Sequence, residues 1–164
     1  GILLYLAFRF QWKFGLGAVA SLAHDVVIVL GVLAFFQIPF DLTVFAAVLA
    51  MIGYSLNDTI IIYDRIRENF RLLRKSGLVE NIDISVTQTL LRTIATSLST
   101  ALALVALLIF GGDSLGNFAL TLLVGVVVGT YSSVYIGAVV LIWLKLTSED
   151  LIPTVTAEEA DGRP

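Results

Sequence analysis

Residues 42–63 read LTVFAAVLAMIGYSLNDTIIIY. A helix crosses the hydrocarbon core of a bilayer in roughly 20 residues, and this run supplies them with Asp58 as its one charged group. Such a run belongs either to a buried core or to a membrane, and composition separates the two. The 164 residues are 58% hydrophobic and 14% charged, with a mean hydropathy of +0.96. Soluble domains lie nearer ~45–50% apolar and ~25% charged. A soluble chain of this size has too small an interior for so much apolar surface; a bilayer takes it as solvent. The net charge of −3 gives no case for nucleic-acid binding. The absence of cysteine excludes disulfides, thiolate metal sites and cysteine nucleophiles. A single histidine and a single methionine argue against a zinc or haem site.

Outward from this stretch, residues 15–36, 92–110 and 116–144 are further runs of spanning length, and residues 1–8 form an apolar stub. The chain lacks an initiator Met and opens within that stub, so we expect one region of a longer protein. Two connections are short: Gln37-Ile38-Pro39-Phe40-Asp41 and Gly111-Gly112-Asp113-Ser114. Short connections make their flanking helices antiparallel neighbours. Arg9 and Lys13, then Arg65, Arg67, Arg71, Arg74 and Lys75, then Lys145 fall at alternate ends of the spans, while the short turns carry only Asp41 and Asp113. The positive-inside rule therefore puts the basic loops and the C-terminus in the cytoplasm. The expected fold is all-α, a polytopic transmembrane helical bundle over residues 1–146, with an acidic, unstructured cytoplasmic tail at 147–164. Residues 64–76, with Ile66, Phe70 and Leu73 at helical spacing, either continue the second full span or form a cytoplasmic amphipathic helix at the membrane face, a possible docking surface. Ser85-Val86-Thr87-Gln88 fits a capping box and predicts a helix start there.

Charged groups at membrane depth cost about 2.5–3.5 kcal/mol each on insertion scales, so each needs a reason. Asp25, Asp58 and Arg92 stand out. Asp58 lies roughly 24 Å along its helix from the turn near Leu42, and Arg92 roughly 28 Å from the turn at Gly111. Charges at matched depth on consecutive spans are able to pair, each lowering the other's desolvation cost. Pairing holds the carboxylate ionised, whereas separation in a dry site favours taking up a proton; that is a minimal proton-coupled switch. Arg92 has the alternative of snorkelling to the headgroups, and Asp58 that of a structural hydrogen bond or salt bridge. Asn57 points to a different face and is expected to bond across helices. His24 and Asp25 divide evenly between packing and a polar pathway.

Thr121, Gly125, Gly129, Ser133 and Gly137 form a ladder of small residues four apart, a face on which helix backbones approach closely. Thr89, Thr93, Ser97 and Thr100 give the preceding span a polar stripe continuous with Arg92, and Thr96 adds another intramembrane polar group beside it. No nucleophile–base pair, phosphate loop or metal-ligand cluster has the spacing of a soluble enzyme.

The run Gly53-Tyr54-Ser55-Leu56-Asn57-Asp58-Thr59, continuing through Tyr63-Asp64-Arg65-Ile66-Arg67-Glu68-Asn69, resembles the signature of the SecF family of protein-export membrane subunits. So do Gln88-Thr89-Leu90-Leu91-Arg92-Thr93, Arg9-Phe10 followed by Trp12, His24-Asp25-Val26, and the Gly125–Tyr135 segment. The resemblance covers roughly residues 2–145. It implies a six-span unit related to the RND transporters, lying in the bacterial cytoplasmic (inner) membrane among its lipids. The implied partners are SecD, the SecYEG channel, YajC and YidC, and the implied substrate is an unfolded preprotein. Protons would be the coupling ion, with no other cofactor and no chemical catalysis. The family's proton-relay positions fall on Asp58 and Arg92, and its His-Asp motif on His24 and Asp25; its first span and external domain would precede Gly1. An RND-type proton-coupled exporter of small molecules or lipids is the alternative, and a passive scaffold a third reading.

Overall fold

The computed structural model describes residues 1, 4, 5, 8, 11–73 and 75–147. Among the described residues the long helices are α1 (Trp12–Phe35), α2 (Leu42–Leu72), α3 (Leu78–Phe110) and α4 (Gly112–Trp143). Each is long and apolar enough to cross a membrane. The motif at Arg9-Phe10, most of the N-terminal stub, Arg74 and the tail at 148–164 lie outside the described residues.

The turns explain the up-down order. Asp41 caps α2 by accepting a hydrogen bond from the Val44 N–H at 2.8 Å, which satisfies one of the donors a helix start leaves open. Gly111 ends α3 and Gly112 begins α4 with φ +70°, a conformation that glycine adopts without steric cost. A Cβ on Gly111 would sit 2.4 Å from the Leu107 carbonyl oxygen, so the turn needs glycine for space as well. Lys13 donates from its Nζ to the Lys145 carbonyl at 3.3 Å, tying the first turn of α1 to the end of α4.

One pair of alternatives is resolved and one expectation changes. Residues 64–72 continue α2 without a break, and the stripe of Tyr63, Ile66 and Phe70 is buried with Ile82 of α3 rather than laid on a membrane surface. At about 1.5 Å per residue, 31 residues exceed a ~30 Å hydrocarbon core, so the basic end projects beyond it. The capping box at Ser85 is not a helix start: α3 begins at Leu78 and Ser85 lies inside it. There the Ser85 hydroxyl donates back to the Asn81 carbonyl (2.7 Å) and accepts from Asn69 Nδ2 of α2 (2.8 Å). A serine or threonine hydroxyl placed mid-helix bonds back to the carbonyl four residues earlier, which leaves its oxygen free to accept from a neighbouring helix.

The small-residue ladder of α4 meets a matching ladder on α2. A Cβ on Gly125 would come within 2.1 Å of Met51 Cγ, one on Gly129 within 3.2 Å of Ser55 Cβ, and one on Gly137 within 3.0 Å of the Tyr63 hydroxyl. Thr59 and Ser133 share a hydrogen bond at 3.1 Å. Each pair keeps the same sequence offset, so α2 and α4 run parallel with their four-residue rows in register. α1 crosses the same seam in the opposite sense: Gly17 abuts Tyr63, Asp25 meets Ser55, and Val29 joins the cluster of Met51. The result is two apolar clusters, one around Tyr63, Phe14 and Leu141 and one around Val29, Val44 and Met51. A buried polar layer separates them. α3 is the outlier, with 11% of its spanning window buried against 44% for α2 and α4.

Candidate functional site

The polar layer is built on Asp25. Its carboxylate is fully buried and accepts a short hydrogen bond from the Ser55 hydroxyl of α2, while His24 Nδ1 lies 3.3 Å from its other oxygen. His24, one residue away on the helix, sits at the edge of the bundle, half-buried, with its ring 6.2 Å from that of Tyr131. Around this centre Ser21 and Ser132 share a hydrogen bond at 2.9 Å, and the Thr59 hydroxyl donates to the Ser55 carbonyl at 3.0 Å. Three helices thus meet in one hydrogen-bonded layer, and every buried hydroxyl in it has a partner. Ser55→Ala is expected to destabilise the bundle by about 1–3 kcal/mol, the usual cost of leaving a buried acceptor unmet. Denaturant titration in detergent checks this, and Ser55→Thr should retain most of the stability.

Asp58 is different. Its side chain is 2% exposed, and Oδ2 has no hydrogen-bond partner among the described residues. Depth matching made a pair with Arg92 possible, and the structure does not close that pair. No ion pair within 4.0 Å joins them. The cause is the register of α3 on α2. Arg65 Nε donates to Gln88 Oε1 at 2.7 Å and the Tyr54 hydroxyl to Ser97 at 3.1 Å. With these contacts made, Arg92 lines an open cavity while Asp58 faces inward. That cavity, of about 350 Å³, has Ile61, Asp64, Arg65 and Glu68 on its α2 wall and Gln88, Thr89 and Arg92 on its α3 wall.

The remaining candidates separate cleanly. Asn57 is exposed and makes no hydrogen bond among the described residues; it lines an outer groove with Gly53, Leu56 and Ile60. No interhelical bond from it is seen among the described residues, its groove being shared with Gly1 and Tyr5 of the N-terminal segment. Thr96 is also exposed, and its hydroxyl returns to the Arg92 and Thr93 carbonyls of its own helix, both at 3.0 Å. Of the α3 stripe, Ser97 is the member that crosses to other helices, reaching Tyr54 and, at 2.6 Å, Thr130. Gly125, Gly129, Ser133 and Gly137 lie where the α4 ladder was expected to pack.

Sequence reading missed Ser55 and Thr59 as partners of the layer. Their four-residue spacing with Met51 and Tyr63, repeating the spacing of the α4 ladder, was the available signal. It also missed the knot at the basic end, where Asn69 donates to Ser85 and to Gln88 (3.0 Å). Asn81 Nδ2 beside that knot is the other buried polar atom without a partner among the described residues.

Comparison with known proteins places this arrangement. The family model described as protein export membrane protein SecD/SecF, C-terminal, matches residues 1–147. The chain belongs to the SecD/SecF family. The protein translocase subunit SecF of Pseudomonas aeruginosa is 69% identical over the whole of this chain, which spans 54% of that protein. The SecF subunit of Escherichia coli O157:H7 is 44% identical over 99% of the chain, which covers 50% of it. The chain therefore spans about half the length of the curated relatives it matches. In three dimensions it resembles the crystal structure of SecDF, a translocon-associated membrane protein from Thermus thermophilus, with a TM-score of 0.85 at 47% identity; 88% of this chain and 20% of that one are covered. A second SecDF structure, in the super-membrane-facing form, gives 0.83 at 48% identity over the same shares. The helical bundle expected from the SecD/SecF resemblance is the fold observed.

Proposed function

We propose that this chain is the membrane bundle of a SecF-type translocase subunit that pairs with a SecD unit and draws on the proton-motive force to promote preprotein export through SecYEG. It would lie in the bacterial inner membrane with its basic loops in the cytoplasm, where contact with YajC and YidC is also expected. One observation carries the reading: a carboxylate buried at membrane depth with an unpartnered oxygen, next to but not paired with an arginine. A structural salt bridge closes on its partner, whereas a group that must both gain and lose a proton needs that partner within reach and not fixed. Asp58 is thus the proton carrier and Arg92 the charge that favours its ionised form when α3 shifts. Asp25, tied into the hydroxyl layer, holds α1 against α2 and keeps the frame rigid around the moving pair.

The test uses the full-length parent with its SecD partner in inverted membrane vesicles, measuring preprotein translocation with and without an imposed proton gradient. Arg92→Gln is expected to remove the gradient-stimulated component and leave the gradient-independent rate. Arg92→Lys, which retains a positive charge, should keep part of the stimulation. Full stimulation in Arg92→Gln would overturn the role given to this residue.

A further inference from the structure

α2 carries one continuous face from the middle of the membrane to its basic end. Asp58, Ile61, Arg65 and Glu68 follow at three- and four-residue steps and so share that face. Ile61, Arg65 and Glu68 line the cavity between α2 and α3, with Arg92 on the opposite wall; Asp58 does not line it. Ile61 lies one turn beyond Asp58 on the stripe, about 4.5 Å nearer the basic end, and is the apolar member of an otherwise polar and charged wall.

A space of this size with several polar partners on its walls holds water, and an apolar side chain across a narrow path blocks water by dewetting. We propose that the α2–α3 cavity is the water port through which the Asp58 carboxyl exchanges its proton with the basic side of the membrane, and that Ile61 is the apolar plug between them. Asp64 is the acceptor in the port. Its side chain lines the cavity and makes no hydrogen bond or ion pair among the described residues, whereas Glu68 is held by Arg65 at 2.7 Å and Arg65 in turn by Gln88. The step is a proton exchange and nothing more. The Asp58 O–H bond breaks toward a water, that water gives up one of its own protons to the Asp64 carboxylate, and no other covalent bond changes. With Ile61 in place the exchange waits on a movement of α3, which keeps protons from leaking through an idle subunit.

The inference rests on Asp58 carrying a proton, so its test reads access rather than transport. This chain contains no cysteine. Thr89→Cys and Asp58→Cys are made singly in the full-length parent, stripped of any cysteine elsewhere and assembled with SecD, and a membrane-impermeant maleimide is applied to vesicles of each orientation. Thr89→Cys should label from the basic side alone and Asp58→Cys should be protected. Adding Ile61→Ala to Asp58→Cys should raise its labelling rate at least about tenfold, a change of about 1.4 kcal/mol in access. An unlabelled Thr89→Cys overturns the port. Labelling of Asp58→Cys as fast as Thr89→Cys, with Ile61 intact, overturns the plug, and this comparison decides even where the Ile61 variant fails to assemble. No rise in an assembled Ile61→Ala protein also overturns the plug. Normal gradient-driven export in Asp58→Asn would remove the proton-carrier reading and leave these access results standing.

Discussion

Asp58→Asn in the full-length parent is expected to abolish gradient-driven export while leaving a folded subunit still bound to SecD. The amide has nearly the shape of the carboxyl, so packing around a side chain 2% exposed is kept. It does not take up and release a proton in the physiological range, and it carries no negative charge. Removing a positioned proton-transfer group costs on the order of 10²–10⁴-fold, enough to erase the gradient-stimulated rate in a vesicle assay. Stability should hold or rise, because a buried carboxylate with an unpartnered oxygen is a desolvation penalty that the amide relieves. This pairing of lost activity with undiminished stability separates a proton carrier from a structural salt bridge, whose loss destabilises. Asp58→Asn protein that melts well below wild type would point to the structural role, and normal stimulation would exclude the relay.

Gly125→Ala is expected to destabilise the bundle strongly for a single added methyl. The added Cβ would stand 2.1 Å from Met51 Cγ and 2.8 Å from Met51 Cβ, and the second of these is the root of the side chain, which has no rotamer to escape into. α2 and α4 must separate at that rung, and their rows are in register at the rungs below, so the strain spreads to Ser55–Gly129 and Tyr63–Gly137. Overpacking a well-filled core costs about 1–3 kcal/mol. Gly31→Ala supplies the contrast, since a Cβ there meets nothing within 4 Å; replacing an exposed helical glycine by alanine is worth about 0.5–1 kcal/mol in the opposite direction. Both are measured by unfolding in detergent. Met51→Ala combined with Gly125→Ala should recover part of the loss through the shared contact, and additive losses would show that the two residues do not meet.

Each of these expectations draws on a different depth of information. The GxxxG ladder at 125–137 was legible because small residues four apart have few uses in a membrane helix other than close approach. Its partner row on α2 was harder to see, because Met51, Ser55, Thr59 and Tyr63 share the four-residue spacing but differ in size and polarity, so only their position opposite the glycines marks them as one row. Asp58 and Arg92 were legible as costly charges, and their matched depth followed from the rise per residue. Whether they touch was not, since that depends on how α3 is rotated and seated on α2, which the Arg65–Gln88 and Tyr54–Ser97 contacts set. Ser85 looked like a helix start because its local run fits a capping box, whereas α3 begins at Leu78 and Ser85 bonds Asn69 of α2.

By itself, then, the sequence determined the solvent of this chain, the number of its full spans, the turns between them and the groups too polar for their depth. All of these follow from composition and from local hydrophobic runs measured against a fixed bilayer thickness. Only the tertiary structure decided which of those polar groups are satisfied. Asp25 is enclosed by Ser55 and His24, while Asp58 Oδ2 is buried without a partner and Arg92 lines a separate cavity. The reason is geometric: the face a helix presents to its neighbours is fixed by packing among residues far apart in sequence, and a single helix carries no record of what its partner brings to meet it.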